Sequence, residues 1–288
     1  MSLVNSHENR LLLETVQAFM KAELHPHEDL VDRLGEVPLD LGRQIEKRAH
    51  EAGLYAANLP EEVGGGGLSL EAKTIMEREF GKTSHALHSW VARPTELLLA
   101  CEGEQRERYL IPCVKGEKRE LFGLTEPEAG SDVMGMKSNA RPDGDDWILN
   151  GSKHFISGPV LPDFAIVFAA TGVDESPRGS RKRVTSFLVD TGTPGFDVRD
   201  GTHCVSYRGY KTFQLSFDNV RLNKRQILGE EGRGLELAGQ WLTYGRIFVG
   251  ASCCGKAERL MGLATEWAAS RKQFGQAIGK FQGTGFKL

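Results

Sequence analysis

Three stretches combine hydroxyls, charges and glycines at spacings that could hold a ligand. The first, LFGLTEPEAGSDVMG, runs from Leu121 to Gly135. Thr125 and Ser131 offer hydroxyls, while Pro127 fixes the backbone and Gly130 frees it, leaving amides available to a ligand. Glu126 and Glu128 suggest paired carboxylates for acid/base work. Residues i and i+2 of a turn normally diverge, however, so solvated charges or a backbone-capping role is the simpler reading. Alone, the stretch reads as readily as an interdomain turn. The second is LNGSKHFISG, Leu149 to Gly158. Asn150–Gly151 predicts a hairpin turn. Beyond it comes a strand on which Phe155 and Ser157 share a face and His154 takes the other. An aromatic face beside a hydroxyl suits a flat ring with a polar edge; a core-facing Phe with an exposed Ser fits equally. The third is SRKQFGQAIGKFQ, Ser270 to Gln282. Arg271 and Lys272 precede Phe274–Gly275, where the pattern ends a helix. A guanidinium can grip a diphosphate bidentately; cations closing a helix C-terminus are the plainer reading.

These stretches need scaffolding, and the apolar periodicity supplies it in three parts. Residues 1–119 read as helices. Leu12, Val16, Phe19 and Met20 make one stripe; Leu41, Ile45 and Ala49 make another, ended at Gly53. Ser69 is placed to cap SLEAKTIMEREF, and EQRERYLIPCVKGE reads as a further helix. The glycines Gly64–Gly67 have no preceding strand and no following Gly-Lys-Ser/Thr, so they read as a flexible turn rather than a phosphate loop. Residues 120–228 switch to short β-branched and aromatic runs: DWILN, FAIVFAA, VTSFLV and TFQLSF. Strands at this spacing without helices between them predict an antiparallel barrel or sandwich. Residues 229–288 return to a long, proline-free helical run and then to GKFQGTGFKL, an incomplete helical bundle. The fold class is α+β, with a helical domain, a β-domain and a partial C-terminal helical domain.

Bulk properties narrow the function by exclusion. The chain has 288 residues, is 40% hydrophobic and 26% charged, and carries a net charge of −3. Its basic residues are scattered, so no nucleic-acid partner is called for. No run approaches the about 20 apolar residues that span a bilayer, and the N-terminus has no secretory pattern. The five cysteines form no C-x-x-C pair, which fits reduced thiols in a cytoplasmic protein and gives neither a zinc site nor a disulfide framework. No metal site is expected.

Taken in order, TEPEAGSD, NGSKHFIS and RKQFGQAIGKFQ, with YRGYKTFQLSFDNVRL and GEEGRGLELA between them, resemble the acyl-CoA dehydrogenase family along essentially the whole chain. The resemblance implies FAD bound between the β-domain and the C-terminal helices. It implies flavin contacts at Phe122, Leu124 and Thr125, with Ser131 meeting the flavin or the phosphate arm of the acyl-CoA. Phe155 stands where relatives usually carry Trp over the flavin, Ser157 where they carry Thr near N5, and Ile156 lies between. Arg271, Gln273, Phe274 and Gln282 match contacts to the diphosphate or adenine side of a neighbouring subunit's FAD. Oligomerisation as a dimer or tetramer follows from that.

The implied reaction removes the α-proton of an acyl-CoA thioester as hydride leaves the β-carbon for flavin N5, with an electron-transfer flavoprotein as acceptor. Ser131, Thr243, Tyr244 and Arg246 fall at substrate-side positions, and Trp90, Trp241 and Tyr244 are candidates for narrowing the acyl pocket. The usual base is a Glu expected beyond Leu288; the alternative base position holds Gly245. Neither base is therefore among these residues. The same resemblance admits an acyl-CoA oxidase, a nitroalkane-oxidising or flavin monooxygenase relative, or a non-catalytic fragment that binds flavin or acyl-CoA.

Overall fold

The structure is a computed structural model that describes residues 6–91, 94–176 and 179–288. Its first part is helical. Helix α1 (His7–Phe19) starts at Ser6, whose hydroxyl accepts the Asn9 N–H at 3.0 Å. It buries Val16, Phe19 and Met20 as one stripe and runs on through a π turn. Helices α2 (Glu28–Leu34) and α3 (Leu39–Glu51) follow, and α3 gives way to Gly53 at φ +67°. Helix α4 (Leu70–Phe80) is capped by Ser69, as the spacing predicts. Short helices α5 (His85–His88) and α6 (Ile111–Val114) complete this part. The glycine run is not flexible. Gly65, Gly66 and Gly67 donate to the carbonyls of Pro60, Ala56 and Leu59, and a Cβ at Gly65 would stand 2.2 Å from Leu59 O. The loop needs glycine because backbone passes against backbone.

The second part is one curled sheet of seven strands: β1 (Glu120–Gly123), β2 (Asn139–Asp143), β3 (Asp146–Gly158), β4 (Phe164–Ser176), β5 (Gly179–Asp190), β6 (Phe196–Asp200) and β7 (Lys211–Asn223). Their order is β1-β4-β2-β3-β7-β6, with β5 also on β4. Pairing is antiparallel except along β4, where β1 and one residue pair of β2 run parallel to it. FAIVFAA in β4 explains why the sheet can carry two cores. Phe164, Ile166 and Phe168 face the helical part, while Ala165, Val167 and Ala169 face a second apolar cluster with Trp147, Phe187, Phe213 and Leu215. A strand buried on both faces reads as a continuous apolar run.

Two turns differ from the sequence reading. Asn150–Gly151 makes no hairpin: β3 runs straight through it, and the bulge beside it is on β7, where Asp218 and Asn219 stand opposite Asn150. The Asn150 carboxamide instead accepts the Asn219 N–H at 2.9 Å. The hairpin lies at Gly144–Asp145, between the paired Asp143 and Asp146. Likewise Phe274–Gly275 is not a helix end. Helix α7 (Gly234–Ser270) stops at Ser270, and Phe274 (φ +50°) and Gly275 (φ +76°) turn a small hairpin of β8 (Lys272–Gln273) and β9 (Gln276–Ala277). Two successive positive φ values are what a type I′ turn requires. A short helix, α8 (Gln282–Gly285), follows.

Helix α7 lies across α4 at close range. A Cβ at Gly255 would come 1.7 Å from Arg78 O, and one at Gly81 would come 2.1 Å from Ser252 O. Ion pairs flank the crossing: Arg78 and Lys82 meet Glu258, and Arg259 Nη1 donates to Glu28 at 2.6 Å.

Candidate active site

The TEPEAGSD loop is rigid because its first acid is buried. Glu126 is 5% exposed and caps backbone: its carboxylate accepts the N–H groups of Lys137 (2.5 Å) and Ser138 (3.1 Å). It also accepts from Lys153 Nζ at 2.7 Å, and that ammonium donates to Leu124 O at 3.1 Å. Both side chains are almost wholly enclosed. Burial alone would raise the Glu126 carboxyl; the hydrogen bonds from Lys153 and the loop amides outweigh it and hold the group below its ordinary value. Burial lowers the Lys153 ammonium, and the Glu126 pair opposes that shift. The His154 N–H donates to Thr125 O at 2.9 Å, so the first two stretches form one unit. Glu128, in contrast, is exposed. The ion pair was visible in principle. Trp147 and Leu149 set the buried row of β3, Lys153 falls on the same alternation beyond the half-buried Gly151, and a buried lysine demands an acid.

This unit forms one wall of a cleft of about 450 Å³. Phe122, Thr125, Phe155, Ile156 and Ser157 line it, as do Trp241, Gly245 and Phe248 from α7. The α7 residues recur at helical spacing along one face. The Phe122 ring lies 4.5 Å from that of Trp241 and 5.2 Å from that of Phe168. Phe155 is 58% exposed and adopts φ +56° at a break in the β3–β7 register. This break upsets the simple alternation, so His154 does not take the opposite face; its ring packs on that of Phe155 at 3.7 Å. An open aromatic face with two hydroxyls, Thr125 and Ser157, at its side fits a planar heteroaromatic with a polar edge.

Part of the cleft lining is polar and buried, which sequence reasoning missed. Asn58 (4% exposed) and Arg119 (9% exposed) line it with Tyr55, Thr95 and Glu120. Asn58 Nδ2 donates to Pro94 O at 2.9 Å, and Glu120 accepts the Thr95 N–H at 2.6 Å, so the two side chains bracket one peptide group. Arg119 Nη2 donates to Glu46 at 2.6 Å, and its guanidinium lies 5.3 Å from the Trp90 ring. Asn58 Oδ1 and Arg119 Nε are buried without a hydrogen-bond partner. Each such atom costs about 1–3 kcal/mol.

The remaining candidates lie elsewhere. Leu124 is buried in the core. Ser131 is exposed and outside the cleft lining. Thr243, Tyr244 and Arg246 are exposed on α7 and do not line the cleft, and Thr243 Oγ1 donates to Gly239 O. Trp90 is core, 1% exposed, whereas Trp241 lines the cleft. Arg271, Gln273 and Phe274 sit on the hairpin after α7, and Gln282 opens α8; Phe274 is 92% exposed, 6.1 Å from the Phe281 ring. At about 1.5 Å per helical residue, the 23 residues from Phe248 to Arg271 put this group roughly 35 Å along α7 from the cleft. Gly245 lines the cleft but brings no carboxylate. Among the described residues, no three His, Cys, Asp or Glu gather as a metal site, and no helix is long and apolar enough to cross a membrane.

Comparison with known proteins places the chain in a family. The profile of the acyl-CoA dehydrogenase N-terminal domain matches residues 6–117, that of the middle domain residues 121–220, and that of the C-terminal domain residues 232–288. The 3-(aryl)acrylate reductase of Clostridium sporogenes is 34% identical over 286 residues, covering 98% of this chain and 74% of that protein. A caffeyl-CoA reductase–Etf complex subunit, CarC of Acetobacterium woodii, is 32% identical over 289 residues, covering 98% and 74%. Among solved structures, the acyl-CoA dehydrogenase of Bacillus anthracis complexed with FAD superposes with a TM-score of 0.83 at 27% identity, covering 97% of this chain and 48% of that one. With its three parts matched in order, the chain belongs to the acyl-CoA dehydrogenase family.

Proposed function

We propose that the cleft binds FAD and an acyl-CoA thioester side by side and serves α,β-dehydrogenation of the acyl group. The carrying observation is the Glu126–Lys153 clamp, which sets Thr125, Phe155 and Ser157 on one wall opposite Trp241 and Gly245 of α7. FAD is the cofactor, as in the B. anthracis structure, and when bound it accepts the hydride lost from the β-carbon. The open face of Phe155 and the ring of Phe122 would flank its flat ring, with the Thr125 and Ser157 hydroxyls at its polar edge. Walls of Phe122, Trp241 and Phe248 exclude water from the reacting carbons, which strengthens every hydrogen bond made there.

Arg271, Gln273, Phe274 and Gln282 stand too far from this cleft to serve it. We assign them to the diphosphate or adenine end of FAD in a second copy, which makes the working unit a homo-oligomer. An electron-transfer flavoprotein is the proposed acceptor, supported by the Etf complex named for CarC. The α-proton needs a carboxylate acceptor, and position 245 is open to one, because a Cβ at Gly245 meets no atom within 4 Å.

The test is anaerobic mixing of the FAD-loaded protein with acyl-CoAs, following flavin bleaching and enoyl-CoA formation. Gly245→Glu is assayed alongside and is expected to increase both. Bound FAD with neither signal, in the parent protein and the variant alike, would overturn the reaction.

A further inference from the structure

We infer that the part of the cleft lined by His85, His88 and Tyr210 is built for an aromatic ring, so that the acyl group it selects is aryl-substituted and not a plain alkyl chain. This deepens the acyl-CoA reading and rests on it. Apart from Pro94, Ile156 and Pro159, the apolar side chains of the lining are aromatic. Among the described residues, no Leu, Val or Met lines the cleft. Aliphatic side chains stand nearby but are turned away. Helix α5 reads His-Ala-Leu-His: Ala86 and Leu87 join the core, while His85 and His88 line the cleft. Aliphatic side chains would hold an alkyl chain equally well. Flat rings add an attraction specific to another ring, met edge-on or offset.

His85, His88 and Tyr210 form a continuous ring surface, and each is half-buried, so each keeps accessible area. His85 meets Tyr210 edge-on with ring centres 4.5 Å apart, and His88 at 6.0 Å. Two rings outside the lining fix these in place: Tyr207 lies 4.7 Å from His85, and the buried Phe80 stacks on His88 at 4.5 Å. The flavin is assigned to Phe122 and Phe155 on the β-strands. The surface carried by α5 and by the residue before β7 is therefore left to the acyl group. Rings also hold cations, but the lining has no excess of acid to draw one. Lys118 and Arg119 stand against Glu96 and Glu120 there, and Glu96 is paired with Lys73 at 2.7 Å.

The experiment is isothermal titration of the FAD-loaded protein, its flavin oxidised, with 2-enoyl-CoAs, which no longer carry the hydride that the reaction removes. 3-Phenylacryloyl-CoA and 5-phenylpent-2-enoyl-CoA are each compared with the cyclohexyl counterpart, which keeps the carbon skeleton and loses the π-system. At the length that sets its ring beside His85, His88 and Tyr210, the phenyl thioester is expected to bind about tenfold more tightly than the cyclohexyl one. His88→Leu and Tyr210→Leu, which restore an aliphatic lining, are each expected to bring the two within about twofold. Cyclohexyl thioesters that bind as tightly as phenyl ones at both lengths overturn the aryl subsite and leave the acyl-CoA reading intact. A phenyl preference undiminished in both variants does the same, by tracing it to the flavin or to Phe122 and Phe155. Binding of no acyl-CoA at all overturns both readings. The parent series decides the matter even if a variant does not fold.

Discussion

The two ends of α7 stand under opposite physical conditions. At the cleft end, Glu126 and Lys153 are enclosed, and the backbone at Leu124 and Thr125 is held by Lys153 Nζ and the His154 N–H. At the hairpin end, Arg271 has no partner side chain among the described residues, Phe274 is 92% exposed, and the turn is held by its own two strands. The first region is pre-organised by burial. The second is exposed and has no such support. Helix α7 exposes apolar side chains along its length, Tyr244, Ile247 and Val249 near the cleft and Leu260, Met261, Leu263 and Trp267 beyond it. An apolar stripe of that extent marks an interaction face.

The largest effect is expected from breaking the clamp. Lys153→Met leaves Glu126 buried without its counter-charge, at about 3–5 kcal/mol. Urea unfolding should show the full loss, and Thr125 and Phe155 should lose FAD together. A loss below 1 kcal/mol would mean that the loop amides alone satisfy Glu126, and the contrast between the two regions would shrink accordingly.

Next in size is the α4–α7 crossing that seats the cleft end of the helix. Gly255→Ala drives a methyl against Arg78 O, and overpacking of that kind costs about 1–3 kcal/mol. It is offset by about 1 kcal/mol of helix propensity. Gly262, with no atom within 4 Å of a built Cβ, is the control: Gly262→Ala should gain what Gly255→Ala loses. Thermal melting of both variants settles whether the crossing is as tight as it looks.

Acid should separate the regions as well. The Glu126 carboxyl is held below its ordinary value of 4.5. Its contribution is therefore complete above about pH 4.5 and disappears as pH falls through the folded value, since the unfolded chain binds that proton more readily. Tm is expected to drop below pH 4.5 with loss of flavin from the cleft. Glu126→Gln, already weakened at neutral pH, should show a shallower drop; equal slopes would exclude Glu126 as the source.

How much of this was readable depended on the range of the determining contacts. FAIVFAA announces a strand buried on both faces, and Ser69 announces a helix start, because the relevant neighbours are a few residues away. Asn150–Gly151 misled because its partner, Asn219, lies 69 residues on. Phe274–Gly275 looked like a helix end because nothing local distinguishes a C-cap from a tight hairpin. The parallel β1–β4 pairing was equally out of reach, being set by core packing and not by any turn. In the site, Phe122, Thr125, Phe155 and Ser157 converge on the cleft, but Asn58 and Arg119 carry no motif and emerge only once α3, α5 and β1 are assembled around them.

The smallest effect on the isolated fold is expected at the hairpin end, and it is the most telling. Arg271→Met removes an exposed guanidinium that bonds no side chain among the described residues, so unfolding free energy should stay within about 0.5 kcal/mol of the parent. Flavin retention is a separate quantity. If Arg271 reaches the diphosphate of a second copy's FAD, the variant should release FAD on dilution while its melting in flavin-free buffer is unchanged, because the lost charge-assisted bonds exist only in the loaded oligomer. Gel filtration with and without FAD supplies the complementary reading. Unchanged FAD affinity would return Arg271 to the plainer role of a cation closing a helix, and would leave the cleft end of α7 as the whole of the flavin site.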